Sequence, residues 1–216
     1  MIADRVRALL DELPPGVELV AAAKGRTAAE VLEAIQAGIK TIGENYLQDA
    51  QAHQEVIGHG AAWHFIGTLQ HNKVKSAVSL CDMIETVDTL VLAQTISRHA
   101  ANLGKIMPVL IEVNSGREPQ KSGVFPENTE ELIAQIVHLP HICIKGLMTM
   151  GPRTGDPGAA RPYFATTRRL FEHLSQANIP RVTMEYLSMG MTNSYHIALE
   201  EGANIVRIGS KIFGGD

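Results

Sequence analysis

Short hydrophobic runs alternate along the chain with longer stretches in which hydrophobic residues recur at helical spacing. The runs are continuous and do not alternate in polarity, which is typical of parallel strands buried on both faces. Eight of them predict strands, at Glu18 to Ala23, Thr41 to Ile42, Trp63 to Ile66, Met83 to Glu85, Met107 to Val113, Ile142 to Leu147, Val182 to Leu187 and Asn204 to Ile208.

Helical spacing predicts an opening helix at 2–12 and further helices at 27–37, 46–57, 71–78, 88–102, 127–138, 159–176 and 192–200. This alternation of strand and helix indicates a parallel sheet with crossover helices. Eight units favour an α/β fold, a single-domain (β/α)8 TIM-type barrel with an extra N-terminal helix that occupies residues 1–216. An open doubly wound sheet is the alternative, but no Gly-x-Gly-x-x-Gly follows the first strand and no P-loop is present.

The composition agrees with a sizeable buried core, since 45% of the 216 residues are hydrophobic and the formal net charge is only −4. No polybasic run is present, so a nucleic-acid partner is not expected. The N-terminus begins an amphipathic helix with charges inside it, unlike a signal peptide, and no hydrophobic run reaches the length of a bilayer span. We therefore expect a cytoplasmic monomer without membrane contact.

Metal and disulfide chemistry are not predicted. Cys81 and Cys143 lie in hydrophobic surroundings without a Cys-x-x-Cys motif, and both are interpreted as small buried residues. Ligand spacing is also absent from the scattered histidines, such as His53, His59, His71 and His99.

Lys24 is the first candidate for chemistry, because it follows the hydrophobic run of the first strand and precedes the turn 25–27. Its amine is predicted at the carboxyl end of a strand, where barrels of this type carry their active sites. Burial there would lower the pKa of the lysine and free the amine to attack a carbonyl, so a Schiff base is the first hypothesis. The alternative is a lysine whose charged end stays in water.

Two segments with glycine and serine follow the last two strands, at 188–192 and 209–211. Barrels build phosphate sites from these two loops, because glycines let backbone N–H groups approach an anion and serine hydroxyls add donors. Glycines that only close tight turns are the alternative. A lysine and a phosphate cradle in one barrel mouth point either to pyridoxal phosphate or to a phosphorylated keto-sugar.

Motifs that cover almost the whole chain decide between these two ligands: Leu19 to Lys24, Gly43 to Gln48, Trp63 to Lys73, Lys121 to Gly123, Gly146 to Met148, Ser188 to Met191 and Val206 to Gly214. In content and order they resemble the pyridoxal phosphate homeostasis proteins, the single-domain relatives of the alanine racemase N-terminal barrel. The resemblance implies a barrel that binds pyridoxal 5'-phosphate.

The resemblance also implies a role for each candidate site residue. Lys24 forms an internal aldimine with the cofactor, Arg207 faces its pyridine nitrogen, and Asn45 reaches the ring hydroxyl or the lysine. The phosphate is held by Ser188, Gly190, Gly209 and Ser210. An arginine stays protonated and cannot give a proton to the ring nitrogen, so the cofactor is a weaker electron sink than one paired with aspartate.

Other polar residues have structural explanations. His64 is either a satisfied histidine of the barrel interior or a functional one, and Glu44 is expected to pair locally. Helix capping and solvation account for Gln70, Asn72 and Lys73.

Two long connections, 114–126 and 151–158, follow strands and are rich in Gly and Pro. They predict mobile loops over the barrel mouth. Lys121, in the first of them, is interpreted as a solvated loop lysine.

The chain departs from the family pattern in two places. The lysine motif continues as Gly25-Arg26-Thr27 where Thr-Lys-Pro is usual, which puts the shape of that turn in question. Thr192-Asn193-Ser194 stands where an acidic pair is common, so no carboxylate role is carried over there.

The sequence therefore predicts a protein that holds pyridoxal phosphate as a Schiff base, and buffers it or delivers it to apo enzymes, with effects on vitamin B6 and amino- and keto-acid balance. Substantial turnover is not expected, because alanine racemases take a second acid/base tyrosine from a separate β domain for which this chain has no residues left. The alternative is a racemase or lyase in which Tyr46 or Lys121 supplies that group. A Schiff-base aldolase acting on a phosphorylated sugar is a third hypothesis.

Overall fold

The computed structural model describes residues 1–58, 60–152 and 156–215. Its strands are β1 (Glu18–Ala22), β2 (Thr41–Glu44), β3 (Ala62–Phe65), β4 (Met83–Val87), β5 (Met107–Val113), β6 (Ile142–Thr149), β7 (Val182–Ser188) and β8 (Ile205–Ile208). They pair in parallel and in chain order, and β8 pairs with β1, so the sheet closes. The prediction of a (β/α)8 barrel is confirmed, and an open doubly wound sheet is excluded.

Helices surround the barrel. α1 (Ile2–Glu12) precedes β1, and the strands are followed in turn by α2 (Ala28–Gln36), α3 (Leu47–Ile57), α4 (Val74–Leu80), α5 (Leu90–Asn102), α6 (Thr129–Ile136), α7 (Arg161–Gln176), α8 (Tyr195–Glu200) and α9 (Ser210–Phe213). Short 3₁₀ turns lead into α4, α6 and α7. The sequence pattern predicts the extra N-terminal helix but not α9, because four residues are too few to show helical spacing.

Several strands extend past the hydrophobic runs that predict them. β2 continues to Glu44 and β6 continues to Thr149, and both of these polar side chains are fully buried. A hydrophobicity pattern assigns such residues to loops, so it ends these strands too early.

Hydrophobic side chains fill the space between the barrel and its helices, in a larger cluster around β3 to β7 and a smaller one around β1, β2 and β8. Inside the barrel, by contrast, buried polar side chains from β3, β4, β7 and β8 bond to one another: His64, Glu85, Ser188 and Arg207. Burying such groups costs free energy unless they are paired. The bonds among these four side chains therefore allow them to be buried inside the barrel.

The two ends of the chain meet where the barrel closes. α1 packs against α2 and α9. Tyr195 Oη donates to Glu12 at 2.5 Å, and Lys211 Nζ bonds to the same carboxylate at 3.1 Å. These bonds tie the N-terminal helix to the last β/α unit.

Burial raises the pKa of the Cys81 thiol to about 12, as suits a buried residue, whereas Cys143 is only half-buried and its prediction is wrong in that respect. Among the described residues, no cluster of three or more His, Cys, Asp or Glu side chains could hold a metal ion, and no helix is long and apolar enough to span a membrane. His59 and residues 153–155 of the predicted 151–158 loop lie outside the described residues.

Candidate functional site

Lys24 lies directly after β1, at the mouth of the barrel, as its place after a hydrophobic run predicts. Gly25 turns the chain with a φ of +69°, and Thr27 starts α2 through a capping box with Glu30. The Lys24 side chain is exposed, so the prediction of a buried, desolvated amine is wrong. Its amine is open to a ligand that enters from solvent.

Arg26 explains how the chain accommodates its unusual turn. The guanidinium donates to the carbonyl oxygen of Gly214 at 2.5 Å, lies 3.6 Å from the Glu30 carboxylate and sits 5.5 Å from the centre of the Phe213 ring. These contacts hold the turn after Lys24 against the C-terminal segment. Although the sequence of this turn departs from the family pattern, Lys24 still lies at the barrel mouth.

Five of the seven predicted site residues line one cavity of about 300 Å³, the mouth cavity: Lys24, Asn45, Arg207, Gly209 and Ser210. Its wall is completed by Ala22, Arg26, Ile66, Met150 and Met191. An adjoining cavity of about 540 Å³ shares Arg207, Gly209 and Ser210 with it. Three cations and no carboxylate are among the described residues that line the mouth cavity, so its electrostatic potential favours an anionic small molecule.

Gly209 and Ser210 form the part of this wall that follows β8. A Cβ at Gly209 would lie 3.1 Å from the carbonyl oxygen of Ala22, so a side chain there would crowd the end of β1. The exposed Ser210 hydroxyl donates to Thr192 Oγ1 at 3.1 Å. Thr192 thus brings a second hydroxyl to the same place, although the sequence reasoning gave it no role; its position directly after the Ser188 to Met191 motif was the available signal.

Ser188 and Gly190 do not line the mouth cavity. The buried Ser188 hydroxyl donates to Glu85 Oε2 at 2.6 Å and accepts from Arg207. Ser188 is therefore bonded within the barrel interior, and its predicted contact with a phosphate stays a prediction. Gly190 has a φ of +89°, and a Cβ there would lie 2.6 Å from that of Ala198, so packing against α8 requires this glycine.

Arg207 connects the mouth cavity to the barrel interior. Its guanidinium donates to Ser188 Oγ and, at 2.9 Å, to the carbonyl oxygen of Thr149, and it lies 3.8 Å from Glu85. Burial lowers the pKa of Arg207, while Glu85 and Glu112 oppose that shift. The side chain is thereby held as a cation in one orientation.

Glu85 is the buried counter-charge of Arg207, and it also bonds to His64 Nδ1 at 2.8 Å. Burial acts to raise the pKa of Glu85, but the hydrogen bond from His64 and the nearby charges hold it below its ordinary value. Burial acts to lower the pKa of His64, and the contact with Glu85 outweighs it, so that pKa is raised. His64 is therefore a buried histidine of the barrel interior whose Nδ1 is bonded to Glu85. Sequence reasoning missed Glu85, although an acid inside a hydrophobic run signals a buried partner.

Asn45 and Tyr46 follow β2 and approach Lys24 from the neighbouring loop. Asn45 is half-buried and lines the mouth cavity. Tyr46 is 51% exposed, and the centre of its ring lies 5.6 Å from Lys24 Nζ. Of the two residues named as a second acid/base group, Tyr46 is the one beside the lysine.

Glu44 pairs locally, as expected, with the buried His53 of α3. His53 Nδ1 lies 2.7 Å from Glu44 Oε1, and His53 Nε2 lies 2.9 Å from the carbonyl oxygen of Arg26. Burial raises the pKa of Glu44 to about 7, against the effect of His53. Its Oε2 has no hydrogen-bond partner among the described residues.

Lys121 is not a free loop lysine. Its Nζ bonds to Glu118 at 2.5 Å and to the carbonyl oxygen of Gly151 at 3.0 Å, and it lies outside the mouth cavity. The Asn114 amide also donates to the carbonyl oxygen of Val124 at 2.8 Å. These bonds connect the 114–126 loop to β5 and to the next connection, and its mobility stays a prediction.

Capping does not account for the polar residues before α4. Gln70 and Lys73 occupy the N-cap positions of the 3₁₀ turn and of α4, and neither makes a side-chain capping bond. The predicted capping role is wrong for both residues.

The whole chain, residues 1–216, matches the family described as alanine racemase, N-terminal domain. The chain belongs to this family of barrels. A pyridoxal phosphate homeostasis protein of Aquifex aeolicus is 39% identical over 198 residues, 91% of this chain and 86% of the relative. One of Pasteurella multocida is 36% identical over 201 residues, 92% and 86% of the two chains. Within the family, the chain groups with the pyridoxal phosphate homeostasis proteins.

Solved structures agree with this assignment. PipY of Synechococcus elongatus PCC7942, determined with PLP bound, is 34% identical and has a TM-score of 0.91, with 99% of this chain and 100% of that chain covered. Alanine racemase of Clostridium difficile 630 has a TM-score of 0.81 at 16% identity, with 99% of this chain and 57% of that chain covered. The second likeness is one of fold alone.

Proposed function

We propose that this protein binds pyridoxal 5'-phosphate in the mouth cavity, held as a Schiff base on Lys24, and that it acts in vitamin B6 and amino- and keto-acid homeostasis. The observation that carries the proposal is one exposed lysine amine in a cavity lined also by Arg207, Gly209 and Ser210. The names of the curated relatives and the PLP-bound PipY structure support it.

The residues of the mouth cavity fit this cofactor. Lys24, Arg26 and Arg207 bring positive charge to the site of a phosphorylated ligand, and the carboxylates that pair with the two arginines, Glu30 and Glu85, are not among the described residues that line the cavity. Gly209 lets the segment after β8 lie close to the end of β1, and the Ser210 and Thr192 hydroxyls supply donors to a phosphate. Ser188 contributes by orienting Arg207, and Gly190 by setting the path of its loop.

When bound, the cofactor supplies an aldehyde that bonds reversibly to an amine. Lys24 provides that amine at an exposed position, so loading and release do not require the barrel to open. Arg207 presents a fixed cation and no transferable proton, and Asn45 offers an amide to the polar groups of the ring. These residues hold the cofactor and do little to activate it.

We propose a carrier without substantial turnover. It acts in the cytoplasm as a monomer, with the whole chain as one unit, and apo enzymes that need the cofactor are the recipients. A racemase or lyase is the second candidate function. The observation that favours it is the Tyr46 ring, 5.6 Å from Lys24 Nζ, whereas Lys121 is engaged with Glu118 and Gly151.

Borohydride reduction of the protein loaded with pyridoxal phosphate, followed by peptide mass analysis, tests the proposal. We expect the pyridoxyl adduct on Lys24. Lys24→Ala should lose the visible absorbance of the bound cofactor while retaining weaker binding, because the phosphate contacts survive. Lys121→Ala, which removes an amine outside the mouth cavity, is the matched control and should keep both adduct and absorbance. An adduct predominantly on another lysine would refute the assignment.

A further inference from the structure

A separate cavity of about 430 Å³, the side cavity, lies beside the mouth cavity at the carboxyl ends of β2 and β3. The residues that line it come from the start of α3 and from the segment between β3 and α4. Asn45 lines both cavities and separates them. The side cavity therefore adjoins the proposed cofactor site without being part of it.

The side cavity combines a hydrophobic floor with one cation. Leu47, Phe65 and Leu69 form the floor and are 6%, 2% and 6% exposed. Gln48, Gln70 and Lys73 add polar groups to its wall. Lys73 is half-buried, and its amine makes no ion pair or hydrogen bond with any residue in the described part of the chain. A partly desolvated lysine without a counter-charge is a natural position for an anion.

The other residues that line the side cavity limit which anions could bind there. No aspartate or glutamate is among the described residues that line the side cavity, so an ammonium group would have no counter-charge there. A phosphate dianion is also poorly matched, because one lysine is the sole cationic side chain of the described lining. Gly67 forms no anion nest, since a Cβ there would lie 2.5 Å from the carbonyl oxygen of Asn45 and its backbone packs against that strand end.

We propose that the side cavity binds a small monocarboxylate that has a hydrophobic body and no ammonium group. Lys73 pairs with the carboxylate, the amides of Gln48 and Gln70 donate to it, and the body lies on Leu47, Phe65 and Leu69. This gives a role to the Gly43 to Gln48 and Trp63 to Lys73 motifs, of which only Asn45 and Ile66 are among the described residues that line the mouth cavity. It also places the ligand against Tyr46, whose other neighbour is Lys24.

NMR titration of the purified protein with 4-methylpentanoate, leucine and 4-methylpentanol tests this proposal. The three share a hydrophobic body and differ in the carboxylate and the ammonium group. We expect the carboxylate to bind at least tenfold more tightly than the other two, with amide shifts at Gln48, Gly67 and Gln70. Equal affinity for leucine, no binding, or shifts confined to other residues would overturn the proposal.

Lys73→Gln should weaken binding of 4-methylpentanoate about tenfold or more, while Lys75→Gln, an exposed lysine of α4 outside the cavity, should leave it unchanged. Lys24→Ala separates this site from the proposed cofactor site, and should also leave carboxylate binding unchanged. An effect of Lys24→Ala equal to the effect of Lys73→Gln would place the carboxylate in the mouth cavity and refute the side-cavity site. The amide shifts in the wild-type protein stand as an independent readout if Lys73→Gln fails to fold.

Discussion

At the scale of single residues, two serines with similar sequence settings have different roles. Ser188 ends β7 and Ser210 follows β8, and each stands next to a glycine-containing loop. Ser188 is buried with its proton donated to Glu85, whereas Ser210 is exposed beside Thr192 on the mouth cavity. Of the two, only Ser210 lines the mouth cavity.

We predict that Ser210→Ala weakens binding of pyridoxal phosphate about tenfold or more, because it removes a hydrogen bond to a charged group worth ~1.5 to 3 kcal/mol. Pyridoxal, which lacks the phosphate, should bind Ser210→Ala as it binds the wild type. Absorbance titrations with both ligands measure this. Ser188→Ala is the comparison: it leaves Glu85 and Arg207 without their bridge, so we expect a loss of ~1 to 3 kcal/mol in unfolding free energy. A Ser210→Ala variant that binds the phosphorylated form as the wild type does would place the cradle elsewhere.

The sequence could place Lys24 and Ser210 at one end of the barrel by counting strands, whereas Arg207 was proposed from the family resemblance. It could not separate Ser188 from Ser210, since hydrophobic spacing does not tell whether the last residue of a buried strand points into the barrel. It also assumed that a lysine at a strand end is desolvated. Exposure of Lys24 depends on the turn that Arg26 holds to Gly214, a contact between residues far apart in the chain.

At the scale of elements, the Glu44 and His53 pair joins β2, α3 and the turn that carries Lys24. A carbonyl oxygen only accepts hydrogen bonds, so the nitrogen of His53 that faces Arg26 carries a proton. The facing atoms of Glu44 and His53 then share one further proton across 2.7 Å. Without that proton, the Glu44 carboxylate directly faces the lone pair on Nδ1 of His53.

This pair predicts a pH dependence of stability. Burial raises the pKa of Glu44 from 4.5 to about 7, so folding favours its protonated form. The stabilisation is fully present below pH 4.5 and is lost as the pH rises through about 7. The unfolding free energy of the wild type, relative to Glu44→Gln, should therefore fall between pH 4.5 and 7 and then level off. Urea denaturation at a series of pH values measures the difference. Glu55→Gln, at an exposed position of α3, should give a curve parallel to the wild type; a parallel curve for Glu44→Gln would contradict this assignment.

Element boundaries were the least predictable part of the fold. Most strands give hydrophobic runs, because parallel strands buried on both faces need apolar side chains there. β7 is the exception, since its Thr183 and Glu185 are exposed. The carboxyl ends of β2 and β6 do not continue the hydrophobic run. Glu44 and Thr149 are polar there, and each is buried with a specific hydrogen-bond partner. α9 forms where the end of the chain packs against α1. No local sequence pattern predicts this contact.

At the scale of the whole molecule, the barrel offers a cofactor few groups that could move protons. The described lining of the mouth cavity contains Lys24 and two arginines but no histidine, carboxylate or tyrosine. In the interior network, His64 is bonded to Glu85, and Glu85 is bonded to Ser188.

We predict that the loaded protein exchanges the α-proton of alanine with solvent far below enzyme-like turnover, since a missing positioned acid or base costs ~10² to 10⁴ in rate. Proton NMR of alanine in D₂O measures the exchange, with Lys24→Ala as the control for free cofactor. Tyr46→Phe tests the residue that favours the enzyme alternative. Exchange at enzyme-like rates that disappears in both variants would make this protein a catalyst and the carrier proposal wrong.

The pairing of β8 with β1 brings Lys24, from the first strand, beside Gly209 and Ser210, from the last. A nascent chain that has formed seven strands therefore carries the reactive amine without the anion cradle. Ligand affinity therefore reports whether the barrel has closed. The free energy of ligand binding stabilises the closed barrel, in which the first and last strands are paired. It does not stabilise an incomplete chain whose barrel is still open.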